Sequence, residues 1–325
     1  MRAGVGDTDP VENWPETYGL IEIRKKTAAE TEFWRNRDRY LNLTAEVAVD
    51  RAAHEELTPW KQAVAFAAAV GLTVDRAVVT GRAAARLWGI GVLDNSRTVE
   101  LMYLDGKQPS SKRHWPRGVV FHRGNLRSEE VFREHGLRVS LLTRTLRDIA
   151  ARHGVLEGLV SMDSARGKWP HLTREFLTQE LLGGGRFKGM DNVRETIRLS
   201  IPDSGSPLES KARYLILTSG IPGIRNVEVQ ARIMRGDGRY YEVDFLINGW
   251  LVVEMDGRFK LDGTTFGETD DVLRAERARE VYLQNTGLRF IRAGWEHLTA
   301  RRDGTVPLLE LIEQALRTHP VPAGR

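Results

Sequence analysis

The stretch from Arg239 to Lys260 constrains this chain more than any other. Val, Ile, Phe, Tyr and Trp dominate it, and Asn248-Gly249 sits near its centre, so it reads as two strands joined by a turn. Three carboxylates, Asp244, Glu254 and Asp256, interrupt the apolar runs. A carboxylate in a buried strand is costly unless it is paired, hydrogen-bonded or bound to a metal. Several on two neighbouring strands call for a common cause, and a divalent cation is the simplest.

Strand residues i and i+2 point to one face, so Glu254 and Asp256 share a side while Val253 and Met255 take the other. The side taken by Asp244 depends on the turn. A two-residue Asn248-Gly249 loop pairs Asp244 with Val253 and turns it away from Glu254. A three-residue loop, Ile247-Asn248-Gly249 with Gly249 left-handed, pairs Asp244 with Val252 and gathers the carboxylates on one side. A bulge does the same. The metal-site expectation requires one of these last two arrangements. Glu209, on the helix opened by Ser206-Pro207, can reach over the same face. Mg2+ or Mn2+ takes oxygen ligands of this kind and keeps several waters. Lys260 or Arg258 is placed to steady the nucleophile or the charge developing on phosphorus. The competing reading makes Asp244 an edge-strand charge and Asp256 the start of a turn with Gly257.

Length and charge frame this site. With 325 residues the chain is long enough for two domains. The Pro/Gly/Ser run Ile201–Pro207 marks a boundary. The expected division is a partly helical N-terminal segment over 1–58, an α+β region over 59–200 and a second domain over 201–325. The net charge is +4 and the pI about 9.3, a mild excess that suits a phosphate-bearing partner. There is no cysteine, which excludes disulfides, zinc-thiolate sites and thiol nucleophiles. The first ten residues lack the apolar core of a signal peptide. Ala63–Val74 falls short of the roughly 20 residues that cross a bilayer. The expectation is a cytoplasmic protein with no membrane partner.

Residues 1 to about 20 lack periodicity and read as loosely ordered. Thr27 to Glu30 has capping-box spacing. Helices are expected over Pro59–Val70, Gly81–Trp88, Arg144–His153, Val155–Ala165, Thr173–Leu182 and Met190–Ser200. Strands are expected at Ala77–Val79, Thr98–Leu104, Gly118–His122 and Leu137–Leu141. The loop between the second and third of these strands holds Lys107, Lys112, Arg113 and Arg117, the candidate DNA contacts of this half. Gly183-Gly184-Gly185 lacks the Lys-Ser/Thr ending of a phosphate-binding loop. His114 and His122 have no zinc spacing and read as surface or core residues. The second domain reads as a helix, three strands, a helix and another strand, an α/β core. Arg277 and Arg279 read as salt-bridge partners of Glu276 and Glu280 on one helix face.

Several pieces match a known pattern in order and spacing: Ser206-Pro-Leu-Glu-Ser210, Gly220-Ile-Pro222, Gln230, Val243-Asp-Phe245, Val253-Glu-Met-Asp-Gly257, Glu276-Arg-Ala-Arg-Glu280 and Leu288-Arg-Phe-Ile-Arg292 followed by Trp295. Residues 206–300 thereby resemble the Vsr-like branch of the PD-(D/E)XK endonuclease superfamily. The resemblance implies a restriction-endonuclease-like three-layer core with a mixed sheet and Mg2+-dependent hydrolysis of DNA. It makes Glu209, Asp244 and Glu254 the metal ligands and Asp256 an assisting group. Glu254-Met-Asp256 stands where the superfamily has Glu-x-Lys, so Lys260 is the candidate for the lysine's role. Thr80-Gly-Arg-Ala-Ala-Ala-Arg-Leu-Trp-Gly89 and Leu141-Leu-Thr-Arg-Thr-Leu-Arg-Asp148 resemble, more distantly, the N-terminal region of type IV (AbiEi-like) antitoxin proteins. That implies a smaller, partly winged-helix-like α+β domain that binds DNA. The alternative to an endonuclease is a DNA-binding regulator or antitoxin-like protein without cleavage, and the Glu-x-Asp motif is the feature behind it.

Overall fold

A computed structural model describes residues 12–27, 31–107, 115–257, 279, 282–283 and 285–318. The chain is a mixed α/β protein of two compact units, Met1–Ser200 and Ile201–Arg325. Residues 12–58 belong to the same unit as 59–200. The first unit, expected to be the smaller, is the larger.

The first unit is built around the Pro59–Thr73 helix. Thr58 caps it, its side chain accepting from the Lys61 N–H, and Pro59 takes the first turn. Alanines at 63, 65, 67, 68 and 69 are buried, and their small side chains let neighbouring elements approach closely. Two sheets accompany this helix. Strands β1 (Ile21–Glu22), β2 (Tyr40–Asn42) and β3 (Val47–Asp50) form an antiparallel sheet ordered β1-β3-β2. Strands β4 (Ala77–Thr80), β5 (Val99–Tyr103), β6 (Val119–His122), β7 (Val131–Glu134) and β8 (Leu137–Ser140) form a mixed sheet ordered β6-β5-β4-β8-β7. The helices Leu142–His153, Val155–Lys168, Arg174–Leu182 and Met190–Leu199 complete the unit.

Several features depart from the sequence expectation, among them the sheet β1-β3-β2 in a segment expected to be partly helical. Trp14 lies in the stretch read as loosely ordered, yet it is fully buried and its indole N–H donates to the Leu87 carbonyl at 3.1 Å. Strand β7 was not expected. It pairs with β8 across a two-residue turn whose residues, His135 and Gly136, have φ of 51° and 80°. His135 supplies a left-handed position that the usual Asn-Gly or Asp-Gly signal would have announced.

The second unit carries a four-stranded mixed sheet ordered β12-β11-β10-β9. Its strands are β9 (Val227–Met234), β10 (Tyr240–Ile247), β11 (Leu251–Met255) and β12 (Arg289–Ala293). Only β11 and β12 run parallel. Phe245, Ile247, Leu251 and Val253 pack with Leu208, Ala212 and Ile216 of the Pro207–Thr218 helix and with Leu308 and Ile312 of the Pro307–Thr318 helix. A second cluster joins Ala231, Val243 and Val252 to Leu283. Among the described residues, no helix is long and apolar enough to cross a membrane.

Candidate functional site

The turn between β10 and β11 sets the geometry. Phe245 pairs with Val253, Leu246 with Val252 and Ile247 with Leu251, leaving Asn248, Gly249 and Trp250 as the loop. Asn248 and Gly249 are both left-handed, at φ of 53° and 75°. The Asn248 side chain fixes this conformation. Its Oδ1 accepts from Arg225 N at 2.8 Å and Asn226 N at 3.2 Å, and its Nδ2 donates to Gly223 O at 2.7 Å. The loop therefore has an odd length, but it lies one residue later than Ile247–Gly249. This corrects both expected pairings: Val252 pairs with Leu246 and Val253 with Phe245, where the ladder ends, so neither faces Asp244. Glu254 follows Val253 directly, and Asp244 lies close enough for its charge to act on Glu254.

An irregularity in the neighbouring ladder adds Glu209. Strands β9 and β10 pair from Tyr240–Met234 to Val243–Ala231 and resume at Phe245–Val229, skipping the step at which Asp244 faces Gln230. Gln230 has φ of 49°, a left-handed value uncommon for a non-glycine residue. Sidedness changes across this break: Phe245 packs against the Pro207–Thr218 helix, while Val243 packs with Leu283. The Gln230 side chain hydrogen-bonds to Asp244, and its Nε2 donates to Glu209 Oε2 at 2.8 Å. Glu209 lies in the first turn of its helix, where the N-terminal dipole favours negative charge. It also accepts from Gly205 N at 2.9 Å and Ser206 Oγ at 2.8 Å, while Ser206 Oγ caps Glu209 N. Glu209 is thus held at the start of its helix and linked to Asp244 through Gln230.

The carboxyls of Asp244 and Glu254 are both displaced towards the protonated form. Burial first, and then the negative charge of Glu209, push Asp244 up to about 6, although the Met255 N–H donates to its Oδ2 at 2.6 Å. Burial and then the charge of Asp244 push Glu254 up to about 7, against the opposing pull of Arg279 and Arg292. Arg279 Nη2 donates to Glu254 Oε1 at 2.8 Å and also to the Glu242 carbonyl. A cavity of about 640 Å³ lies beside Gln230, lined also by Asp203, Ser204, Gly205, Arg232 and Glu242 among others.

The donor chemistry of Asp244 and Glu254 fits a hard, oxygen-seeking cation such as Mg2+ or Mn2+, which would offset the burial and neighbouring negative charge that raise both pKa values. The wider set is looser. Among the described residues, no group of three or more His, Asp or Glu side chains is gathered closely enough to hold a metal ion. Asp256 follows β11 directly, and its N–H donates to Ala293 O at 2.9 Å. Lys260 and Arg258 lie outside the described residues, as do Lys112 and Arg113. Lys107 and Arg117 flank residues 108–114, and both are exposed.

Sequence reasoning did not place Arg279 on Glu254. Its helical spacing to Glu276 and Glu280 suggested local pairs, and nothing in the sequence announced a reach of 25 positions to a strand. It singled out Gln230 only as part of the resemblance and expected no irregularity there, because alternation carries no mark of a ladder break. No protein-family model, curated protein or solved structure matches the chain.

Proposed function

We propose that residues 201–325 form a restriction-endonuclease-like core that hydrolyses phosphodiester bonds in DNA with Mg2+ or Mn2+. The observation that carries this reading is the Asp244–Glu254 pair: two neighbouring, partly buried carboxylates, both raised in pKa, with Gln230 linking Asp244 to Glu209. Asp244 and Glu254 would hold the ion, with Glu209 oriented towards it by Gln230. A divalent ion bound there supplies positive charge to a phosphodiester and lowers the pKa of an attacking water. The Met255 N–H fixes the rotamer of Asp244, and Arg279 fixes that of Glu254. Asp256 assists, and Lys260 is the cationic helper. Lys107, Lys112, Arg113, Arg117 and Arg258 contribute phosphate contacts, and the first unit carries the partly winged-helix-like, DNA-binding role.

A second reading, a DNA-binding regulator or type IV antitoxin-like protein without cleavage, is favoured by one observation. The Arg279 guanidinium already neutralises Glu254, as it would in a domain that no longer binds a metal. The two readings separate when plasmid and linear DNA are incubated with the protein, with Mg2+ or with a chelator, beside Glu254→Ala. Cleavage that needs the ion and is lost in the variant supports the nuclease. Gel-shift binding without cleavage in either protein supports the regulator.

A further inference from the structure

The first unit concentrates arginines where few acids balance them. Glu130 and Asp148 serve the guanidinium groups of Arg127, Arg144, Arg147 and Arg152. Arg144 is almost fully enclosed; it donates to Asp148 Oδ1 at 3.0 Å, Glu130 Oε2 at 2.8 Å and the Asn125 carbonyl at 2.8 Å. Burial, and then the neighbouring charge of Arg144, push Arg147 below its ordinary pKa. Arg152 Nη1 is buried without a hydrogen-bond partner. Charges withdrawn from water in this way are normally matched by opposite charge.

These groups line a cavity of about 690 Å³, in which seven arginines and lysines face two carboxylates. Arg186 and Lys188 enter from the loop before the Met190–Leu199 helix; both are exposed, and neither forms an ion pair among the described residues. His122 and His153 line the same cavity, and each places Nε2 at 3.1 Å from Glu100 Oε2. Glu100 is only 2 % exposed and also accepts from Arg82 Nε at 3.3 Å. Burial alone would push its carboxyl up, but the two imidazole hydrogen bonds hold it well below the usual carboxylate range. The acid that anchors both histidines is therefore already committed behind them and does not balance the cavity's arginines.

Guanidinium forks match the oxygens of a phosphate, and a cavity of this size suits a small ligand, for which about 300–1,000 Å³ is usual. Arg147 lies over the Phe187 ring, 5.3 Å from its centroid, so an apolar aromatic wall adjoins the cationic one. We propose that this cavity binds the phosphate group of a nucleotide, either free or at the 5′ end of a strand. The proposal is independent of the nuclease reading, since it concerns different residues in a different unit.

Calorimetry on the full chain tests it, with pyrophosphate, AMP, and a trinucleotide with and without a 5′-phosphate as probes. Pyrophosphate and AMP are expected to bind and to compete with each other. The exposed double variant Arg186→Glu/Lys188→Glu should weaken both by about tenfold or more, with an unchanged melting temperature; Arg147→Gln should do the same. Arg51→Glu, away from the cavity lining, should leave binding unchanged. Binding of the trinucleotide only when it is phosphorylated assigns the site to a strand end; binding of AMP without either trinucleotide assigns it to free nucleotides. The proposal is overturned if neither pyrophosphate nor AMP binds at about 1 mM, or if the folded double variant binds them as the native protein does.

Discussion

Replacing Asp244 by asparagine leaves an amide oxygen to accept from the Met255 N–H and removes one negative charge from beside Glu254. The Asp244 carboxyl is raised from 3.8 to about 6, and a difference of roughly two units corresponds to about 3 kcal/mol at about 1.36 kcal/mol per unit. The group keeps some contact with solvent, which screens part of that shift, so the recoverable stabilisation is about 1–2 kcal/mol. The folded pKa lies above the unfolded one, so between about pH 4 and pH 7 the folded state binds more protons. The native protein consequently gains stability from this pair as pH falls through that window and bears the full penalty above it. Asp244→Asn should therefore melt about 5 °C higher than the native protein at pH 8 and at the same temperature near pH 4. Thermal melts in chelator measure this, with hydrogen exchange of the β10 and β11 amides assigning the transition to the second unit. Added Mg2+ should then stabilise the native protein at pH 8, by about 2.7 kcal/mol at a hundredfold excess over Kd, and leave the variant unmoved. A variant less stable than the native protein at pH 8, or a difference that persists at pH 4, would refute the argument from burial and neighbouring charge.

Ser206→Ala removes a helix cap and one of the bonds that hold Glu209; denaturant titration should show a loss of about 1 kcal/mol. Arg279→Met removes the guanidinium opposing the upward shift of Glu254, so a carbon-13 titration of that carboxyl should place its pKa above the native value, and a lower value would contradict the assigned ion pair. Gly81→Ala combines a φ of 57° with a Cβ driven into the Glu100 carboxylate; the variant should be destabilised by about 3 kcal/mol or accumulate insoluble, as circular dichroism and yield will show.

Strands β9 and β10 were legible to the residue, because eight-residue runs rich in Val, Ile, Phe and Tyr carry a strong local signal. The helix opened by Ser206-Pro207 was legible for the same kind of reason: cap, proline and acidic first turn lie within four residues. The pairing of Val252 with Leu246 and Val253 with Phe245, which leaves Asp244 opposite neither, was not legible. The register was decided by Asn248 hydrogen bonds to Gly223, Arg225 and Asn226, more than 20 positions away. The Gln230 break, the reach of Arg279 and the convergence of His122 and His153 on Glu100 all depend on contacts between distant segments. Periodicity and spacing report only what neighbours along the chain do.

The Asn248 contacts also bear on how the protein ages. An Asn-Gly step is chemically fragile, since the glycine nitrogen can attack the asparagine side-chain carbonyl and leave an isoaspartate. In this loop three hydrogen bonds hold that side chain against residues 223–226, so the attack requires the loop to open first. Once formed, an isoaspartate would lengthen the backbone by one methylene in the turn that sets the register of β10 against β11. The useful lifetime of the carboxylate pair is therefore tied to how often a three-residue turn breathes.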